Sequence, residues 1–245
     1  MLPLPKNLDI SRDSEEEASL LAKAREYLER YDRKGLHLSD LIDPLLSYHK
    51  KKSGNKIPDR LVNMFLVGQV AHTIVEIIKG GEAGDYTKSD SGTKHSEDIY
   101  YSPDFMNFKG EPDEIKTTRS FYPPKVAYLP DDQTFHMYFE QLLGYMALED
   151  KAVGRLTMLY LNMKDENHKT APQFYVWKIE TTPEALAAYR KVLLNTKATL
   201  ATALESGDPS ALPLCRKWKC RDCEFFNTTC QPIGRHGLAE KYWER

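Results

Sequence analysis

The segment Ser102–Thr118 constrains this chain more than any other stretch of its 245 residues. It places Asp104 ten positions before Glu114, and Lys116 two positions after Glu114. If Lys109-Gly110 forms the turn between two strands, Asp104 and Glu114 lie side by side, and Glu114 and Lys116 share a face. Two carboxylates and an amine suit a hard cation and metal-assisted phosphodiester hydrolysis. The alternative is an exposed hairpin with a Glu–Lys ion pair.

Length and composition fit one sizeable α/β domain, or such a domain with a small appendage. Apolar residues make up 41% of the chain and aromatic residues 11%, which is ordinary for a protein with a core. There is no apolar run of about 18 residues and no secretory pattern at the start, so we expect a cytoplasmic protein without a membrane span. The net charge of −2 implies that any nucleic-acid contact uses local clusters of positive charge.

Arg60–Lys79 is the strongest predicted helix, and Gly80-Gly81 follows it. Gly68, His72 and Glu76 recur every four residues, so they form one stripe along this helix. The apolar residues around the stripe are numerous enough to bury its remaining faces. His72 is compatible with a buried core residue or with a ligand, and Gly68 would let another backbone approach closely.

Two further helices are predicted around polar N-cap residues. Ser39 is expected to cap a short helix near the start of the chain, and Asp132 one that runs through Leu148. Gln141 and Tyr145 are one turn apart on the second of these helices and therefore face the same way. An amphipathic surface helix whose tyrosine packs on the core is the alternative interpretation.

The chain after these helices predicts two strands, a long helix and a tail. The strands are Arg155–Lys164 and Gln173–Glu180, and Thr182-Pro183 begins a helix that runs to Ser206. Gly207 follows this helix, and no linker divides the chain before it. We therefore expect a main domain over residues 1–206 and a cysteine-bearing tail over residues 207–245, packed on the core.

All four cysteines lie in the tail, within the last 31 residues. Their spacing is Cys215-x4-Cys220-x2-Cys223-x6-Cys230. In a cytoplasmic chain, such clustering indicates a metal or iron–sulfur site before it indicates disulfides. Four thiolates suit a structural Zn²⁺ ion, a [4Fe–4S] cluster or a [2Fe–2S] cluster, and two disulfides are the remaining alternative.

Four motifs occur in an order, and with gaps, that resemble the RecB-like branch of the PD-(D/E)XK nucleases. They are Gly68-x3-His72-x3-Glu76, Ser102-Pro103-Asp104, Glu114-Ile115-Lys116-Thr117-Thr118 and Gln141-x3-Tyr145. They cover roughly residues 60–150. The resemblance implies an α/β restriction-endonuclease-like fold: a central mixed sheet flanked by helices, with N-terminal helices and a C-terminal tail bound by its cysteines.

The cysteine pattern is similar to the C-terminal cluster of iron–sulfur members of this branch. Those members include CRISPR-associated RecB-like exonucleases, the AddB nuclease domain and phage relatives. The family pattern has one cysteine before the nuclease core and three after it, whereas all four follow it here, and Asp43 stands where the first is expected. Either Cys215 replaces the missing ligand, or the site differs from the usual [4Fe–4S] cluster.

The resemblance also implies a metal site and catalytic residues. Asp104 and Glu114 would bind Mg²⁺ or Mn²⁺ together with the Ile115 carbonyl, and His72 would add a nitrogen ligand that favours Mn²⁺. Lys116 would orient or help deprotonate the attacking water and offset charge in the transition state.

Further residues are expected to position the substrate. Gln141 and Tyr145 would position Lys116 and the DNA backbone. Basic side chains are expected to contact phosphates: Lys50, Lys51, Lys52 and Arg119. The alternative for the three consecutive lysines is a solvated loop, which is the usual role of such a run.

The sequence therefore predicts a metal-dependent DNA nuclease, an exonuclease acting on single-stranded DNA or DNA ends. Its setting would be CRISPR adaptation, phage recombination or DNA repair, with proteins of those processes as partners. Oligomeric and monomeric forms are both compatible with the resemblance. The alternative is a catalytically silent subunit that keeps the fold and binds DNA or protein.

Overall fold

The computed structural model describes residues 14–29, 35–54, 57, 59–78, 93–120, 122–123, 133–164, 169–220 and 223–230. Its helices are α1 (Ser14–Glu29), α2 (Leu38–Ile42), α3 (Pro44–Ser53), α4 (Asp59–Ile78), α5 (Gln133–Leu148), α6 (Pro183–Ser206) and α7 (Lys217–Cys220), with one π-helical turn at Phe226–Cys230. Its strands are β1 (Lys94–Ser96), β2 (Ile99–Tyr101), β3 (Phe105–Met106), β4 (Pro112–Thr118), β5 (Val153–Lys164) and β6 (Thr170–Glu180). The expected cap Asp132 and the pair Gly80-Gly81 lie outside the described residues.

The main sheet has four strands in the order β3-β4-β5-β6. Strands β4 and β5 are parallel, whereas β3 and β6 run antiparallel to their neighbours. The helix α5 lies between β4 and β5 in the chain and provides the crossover that a parallel pair requires. The predicted mixed α/β sheet is confirmed. A separate two-stranded hairpin, β1–β2, precedes it.

Helices cover both faces of the sheet. Side chains of β5 alternate, so Leu156, Met158 and Tyr160 pack with Leu142 and Met146 of α5 on one face. On the other face, the α4 residues Ala71 and Val75 pack with Ile115 and Leu159. Burying one such side chain stabilises the fold by about 1.5–3 kcal/mol. These two layers fix β4 rigidly between α4 and α5.

The helix α4 buries only part of its surface. Phe65 and Ile74 are 47% and 50% exposed, although the sequence predicted that apolar residues would cover the remaining faces. Only one stripe of a helix packed on a sheet meets the sheet, and apolar composition alone does not identify that stripe.

The short helix α2 packs closely on α5 at Gly144. A Cβ atom there would lie 2.6 Å from Leu38 Cδ1, so only glycine permits this approach. The N-cap of α2 is His37 and the predicted cap Ser39 is wrong. The reason is that the Asp40 carboxylate accepts a 2.9 Å hydrogen bond from the His37 backbone N–H and stabilises the start of the helix from its third position.

The long helix α6 has the ends that the sequence predicts. The Thr182 hydroxyl accepts a hydrogen bond from Ala185 N at 3.2 Å, and Gly207 has φ 76° at the C-cap. Tyr48 of α3 donates a 2.6 Å hydrogen bond to the Gly207 carbonyl and so ties the end of α6 to the N-terminal helices. Within the described residues, none of the helices has the length and apolarity needed to span a membrane.

Candidate active site and cysteine tail

The β3–β4 hairpin brings the two predicted carboxylates together. Phe105 is paired with Asp113, so Asp104 lies opposite Glu114 in the antiparallel register. The turn is closed by a 2.8 Å hydrogen bond from Gly110 N to the Asn107 carbonyl. The backbone register therefore fixes the spacing of the carboxylates, as the sequence predicts.

The helix α4 adds the predicted histidine to this hairpin. His72 Nε2 lies 2.9 Å from Asp104 Oδ2, and the same oxygen accepts a 2.7 Å hydrogen bond from Ile115 N. Asp104 is thus held from two sides, by a helix and by a strand. The side chain of Glu76, at the end of the predicted stripe, lies outside the described side chains.

Lys116 completes the cluster. Its ammonium pairs with Glu114 Oε1 and lies 3.9 Å from Asp104 Oδ2. The ring of Tyr138 on α5 is 5.7 Å from Nζ, at cation–π distance. Tyr138 is a neighbour that the sequence reasoning missed, although it lies one turn before Gln141 on the same helix.

Burial and mutual charge shift the acidities of these groups. Burial, followed by the charge of Asp104, raises the pKa of Glu114 to about 8. For Asp104, burial is outweighed by Lys116 and His72, so its pKa is lowered. Burial alone would lower the pKa of Lys116, but the Glu114 and Asp104 carboxylates raise it above its ordinary value. One carboxyl therefore tends to hold a proton while its neighbour is ionised.

Gln141 and Tyr145 project from α5 beside this cluster. Gln141 Nε2 donates a 2.8 Å hydrogen bond to the Tyr145 hydroxyl, which confirms that they share a face. Both residues line a cleft of about 340 Å³ together with His72 and Asp104. Their expected role in positioning Lys116 stays a prediction.

The donor set of this cluster fits a divalent cation. Glu114 is fully buried, and its Oε2 atom has no hydrogen-bond partner among the described residues. A buried carboxylate oxygen without a partner is costly unless a cation or proton satisfies it. In the described part of the chain, no group of three or more His, Cys, Asp or Glu side chains is already arranged around a metal position. As placed, Asp104 and Glu114 are instead occupied by His72 and Lys116.

The basic residues predicted to grip phosphates divide into two groups. Lys51, in the last turn of α3, pairs with Asp40 at 3.1 Å and donates a hydrogen bond to the Gly35 carbonyl at 3.1 Å. Lys52 and Arg119 are exposed, and Lys50 is partly buried. The described contacts of Lys51 are structural. Phosphate binding by the four basic residues stays a prediction.

Side-chain contacts connect the cysteine tail to the main domain. Arg216 pairs with Glu140 of α5, and Lys219 of α7 pairs with Asp43 between α2 and α3. His49, a buried residue of α3, lies 3.5 Å from Cys230 Sγ and stacks on the ring of Phe225. Sequence reasoning missed His49, which carries no motif signal.

None of the four cysteines forms a disulfide, and Cys220 and Cys230 are buried. Burial, followed by the charges of Asp43 and of the other three cysteines, raises the pKa of Cys215 to about 12. Asp43 therefore lies near the thiols. Asp43 is also the residue that stands where the family pattern has its first cysteine. Four thiols suit a soft metal chemically. Whether they bind one stays a prediction.

Two buried polar residues next to the cluster were also missed. Thr157 of β5 donates a 2.9 Å hydrogen bond to Asp113, the residue before Glu114. This bond connects β4 to β5 at the residue before Glu114, and it satisfies the hydrogen-bonding capacity of a buried carboxylate oxygen. A single acidic residue before a motif glutamate gives no sequence signal of its own.

Comparison with solved structures adds likenesses of fold. The crystal structure of SSO0001 matches with a TM-score of 0.55 and 16% identity, covering 91% of this chain and 97% of that one. A phage-related exonuclease from Haemophilus somnus 129PT matches with a TM-score of 0.42 and 13% identity, over 74% of this chain and 99% of that one. An alkaline exonuclease from Laribacter hongkongensis, LHK-Exo, has a TM-score of 0.38 and 12% identity, over 77% and 95%.

The comparisons with protein families and with curated proteins give no match. At 16% identity, the likeness to SSO0001 is one of fold, and it extends over nearly the whole chain. The mixed sheet flanked by helices, predicted from the sequence, is thus a fold already seen among solved structures. Two of these three structures are exonucleases.

Proposed function

We propose that this protein is a divalent-metal-dependent nuclease that hydrolyses DNA phosphodiester bonds, acting as an exonuclease on single-stranded DNA or on DNA ends. The observation that carries the proposal is the convergence of four predicted residues from the β3–β4 hairpin and the helix α4. Asp104, Glu114 and Lys116 come from the β3–β4 hairpin, and His72 comes from α4 at 2.9 Å from Asp104. Buried ionisable groups with mutually shifted pKa values beside a cleft are typical of functional sites.

The carboxylates would hold the cation. Asp104, Glu114 and the Ile115 carbonyl supply hard oxygen donors, and His72 supplies a nitrogen that favours Mn²⁺ over Mg²⁺. The unpartnered Oε2 atom of buried Glu114 supports this assignment. A divalent cation bound there would acidify a water molecule and polarise a phosphoryl oxygen.

Lys116 would stabilise charge more readily than it would remove a proton. The Glu114 and Asp104 carboxylates raise its pKa, so its side chain is an ammonium at neutral pH. A fixed ammonium 3.9 Å from Asp104 provides positive charge where negative charge develops during phosphodiester hydrolysis. Tyr138, whose ring faces this ammonium, would help to hold it in place.

In the tail, a second metal site would hold the C-terminal segment on the main domain. Cys215, Cys220, Cys223 and Cys230 are proposed to bind a [4Fe–4S] cluster, with Zn²⁺ or a [2Fe–2S] cluster as the alternatives. The ion pairs of Arg216 and Lys219 already connect this segment to α5 and to the α2–α3 junction. The proposed role of the metal is structural.

The testing experiment begins with the absorbance spectrum and metal content of anaerobically purified protein. End-labelled single-stranded DNA, duplex DNA and a matched RNA oligonucleotide are then incubated with Mn²⁺, Mg²⁺ or EDTA. We expect nucleotides to be released from DNA with Mn²⁺ and release to stop with EDTA. Iron with visible absorption would identify a cluster, and zinc would identify the other alternative. Metal-loaded protein that cleaves none of these substrates would favour the silent binding subunit.

A further inference from the structure

The cleft beside the carboxylates has a lining that differs from a phosphate site. Its volume is about 340 Å³, and Asp104 and His72 belong both to it and to the proposed metal site. Of the described residues that line it, Asp104 is the sole carboxylate, and none is lysine or arginine. Phosphate groups are usually held by such cations. The cleft is therefore suited to a neutral part of a substrate.

The remaining lining combines rings with neutral hydrogen-bonding groups. Tyr100 and His37 supply rings, and Ser39, Gln69 and Gln141 supply hydroxyl and amide groups. Amides recognise the edges of nucleobases, and aromatic rings contact their faces. This mixture matches the sugar and base of one nucleotide.

The wall of the cleft is already assembled. Tyr100 N donates a 2.9 Å hydrogen bond to the Leu36 carbonyl, and His37 and Tyr100 form a β-bridge. Their rings stack at 5.4 Å, and the His95 ring lies 4.7 Å from Tyr100 on the β1–β2 hairpin. The segment that leads into α2 is therefore fixed to β2, and this wall of the cleft needs no rearrangement to receive a ligand.

We infer that this cleft binds the sugar and base of a single unpaired nucleotide whose phosphate would be held by the divalent cation proposed at Asp104; the inference rests on the proposed nuclease function. Its volume is at the small end of the range for ligand pockets, about 300–1,000 Å³, and suits one nucleoside better than a base pair. A base must leave its duplex partner to enter. The cleft therefore selects single strands and frayed ends.

Gly68 keeps the cleft open. It lines the cleft from α4, and among the described residues a Cβ atom there would meet only Thr117 Oγ1 within 4 Å, at 3.8 Å. A larger side chain at this position would therefore extend without a backbone clash, into space that the nucleoside needs. Alanine would also favour the helix over glycine. Substitution is expected to weaken binding while leaving the melting temperature equal or higher, so unfolding does not explain the loss.

The test uses single-stranded oligonucleotides with an internal fluorescent label. One carries all its bases, and two others carry an abasic residue at the 3′ or at the 5′ end. Binding is measured with Mn²⁺ on Lys116→Ala, because Lys116 does not line the cleft and its loss should prevent turnover. We expect an abasic residue at one of the two ends to weaken binding roughly 5- to 150-fold, the range for one stacked base.

Variants of α4 then test the cleft itself in the same background. Gly68→Leu should bind all three oligonucleotides with equal affinity, as weakly as the protein with Gly68 binds the oligonucleotide whose abasic end reduces its affinity. The affinities of Gly68→Ala should be intermediate. Val67→Leu is the matched control, because Val67 is the adjacent exposed residue and lies outside the lining. It should keep the preference. If Gly68→Leu fails to fold, Gly68→Ala carries the comparison.

Two outcomes would overturn the inference: equal binding of the three oligonucleotides before Gly68 is changed, or a preference that survives in the Gly68 variants. Cleavage by the protein with Lys116 intact separates this inference from the proposed function. Cleavage without any effect of the abasic residues would reject the nucleoside cleft and keep the nuclease. A base preference in binding without any cleavage would keep the cleft and reject the nuclease.

Discussion

The carboxylate cluster and the cysteine tail hold chemically reactive side chains in two different ways. In the cluster, Asp104 and Glu114 are placed by strand register, and His72 reaches them from a helix packed on the same sheet. In the tail, the thiols lie on short turns, and the described links to the main domain include the ion pairs of Arg216 and Lys219.

This difference shows which parts of a site the core can preorganise. The cluster residues sit between two buried layers, so their positions follow from packing that forms regardless of any ligand. The helix α7 has four residues, which is too short to be stable alone. The tail therefore has more to gain from a bound metal, because metal binding contributes directly to folding.

The largest expected effect is loss of cleavage when the cluster is changed. Asp104→Ala removes a proposed metal ligand, and Lys116→Ala removes the ammonium beside it. Each should reduce the cleavage rate by at least about a hundredfold, while the circular dichroism spectrum stays that of the folded protein. Glu111→Gln is the control, because Glu111 lies on the same hairpin and pairs with Arg155 away from the cluster.

The control should retain cleavage within a few-fold of the unchanged protein. If Asp104→Ala turned over DNA at a normal rate in an assay with verified metal content, the cluster would not be the active site. Loss of activity in Glu111→Gln would instead show that the hairpin tolerates no substitution.

The next effect concerns the tail. Cys220 is buried, and Cys220→Ser should lower the melting temperature and expose the tail to limited proteolysis, since it removes a proposed metal ligand and a packed side chain. The main domain should keep its protease-resistant fragment. Thr228→Ser, at an exposed position of the π-helical turn, is the matched control. An unchanged melting temperature and digestion pattern in Cys220→Ser would show that the thiols hold nothing.

Sequence alone located the cluster because its determinants are local or periodic. A turn joins Asp104 to Glu114, alternation relates Glu114 to Lys116, and helical spacing relates Gln141 to Tyr145. These relations survive folding, since backbone geometry dictates them. The ends of α6 followed from patterns of the same kind, whereas the mixed sheet was implied by the family resemblance of the motifs.

Other features depend on contacts that sequence spacing does not encode. Tyr138 reaches Lys116 only through the packing of α5 against β4, and His49 meets Cys230 only when the tail folds back on α3. The exposed apolar surface of α4 could not be predicted either, because the position of the sheet determines which face of the helix is buried. The wall at His37 and Tyr100 likewise joins segments that carry no shared motif.

A smaller effect is expected on metal affinity when His72 is removed. His72→Ala should weaken Mn²⁺ binding about 10- to 100-fold, with a smaller change for Mg²⁺, because a nitrogen ligand favours Mn²⁺. Isothermal titration of each metal into DNA-free protein measures this difference. His136→Ala, an exposed histidine on α5, is the control. If His72→Ala binds Mn²⁺ as tightly as before, His72 is a core residue that supports Asp104.

The smallest expected effect is a pH dependence of Mn²⁺ binding to the cluster. Burial and Asp104 raise the pKa of Glu114 to about 8, so metal-free protein at neutral pH holds a proton that Mn²⁺ must displace. Asp104 adds no such proton, because its pKa is lowered. The apparent affinity should therefore rise with pH, by up to about tenfold per pH unit, and level off above the pKa of Glu114.

Titrations of Mn²⁺ into DNA-free protein between about pH 6 and pH 9 would measure this slope. Glu114→Gln is the matched comparison, because it keeps the shape of the side chain and removes the titrating proton, so its weaker binding should depend less on pH. A flat profile in the unchanged protein would mean that Glu114 is ionised before the metal arrives. The charge of Lys116 would then outweigh the burial and the charge of Asp104 that raise the pKa of Glu114, and no proton would be displaced when the metal binds.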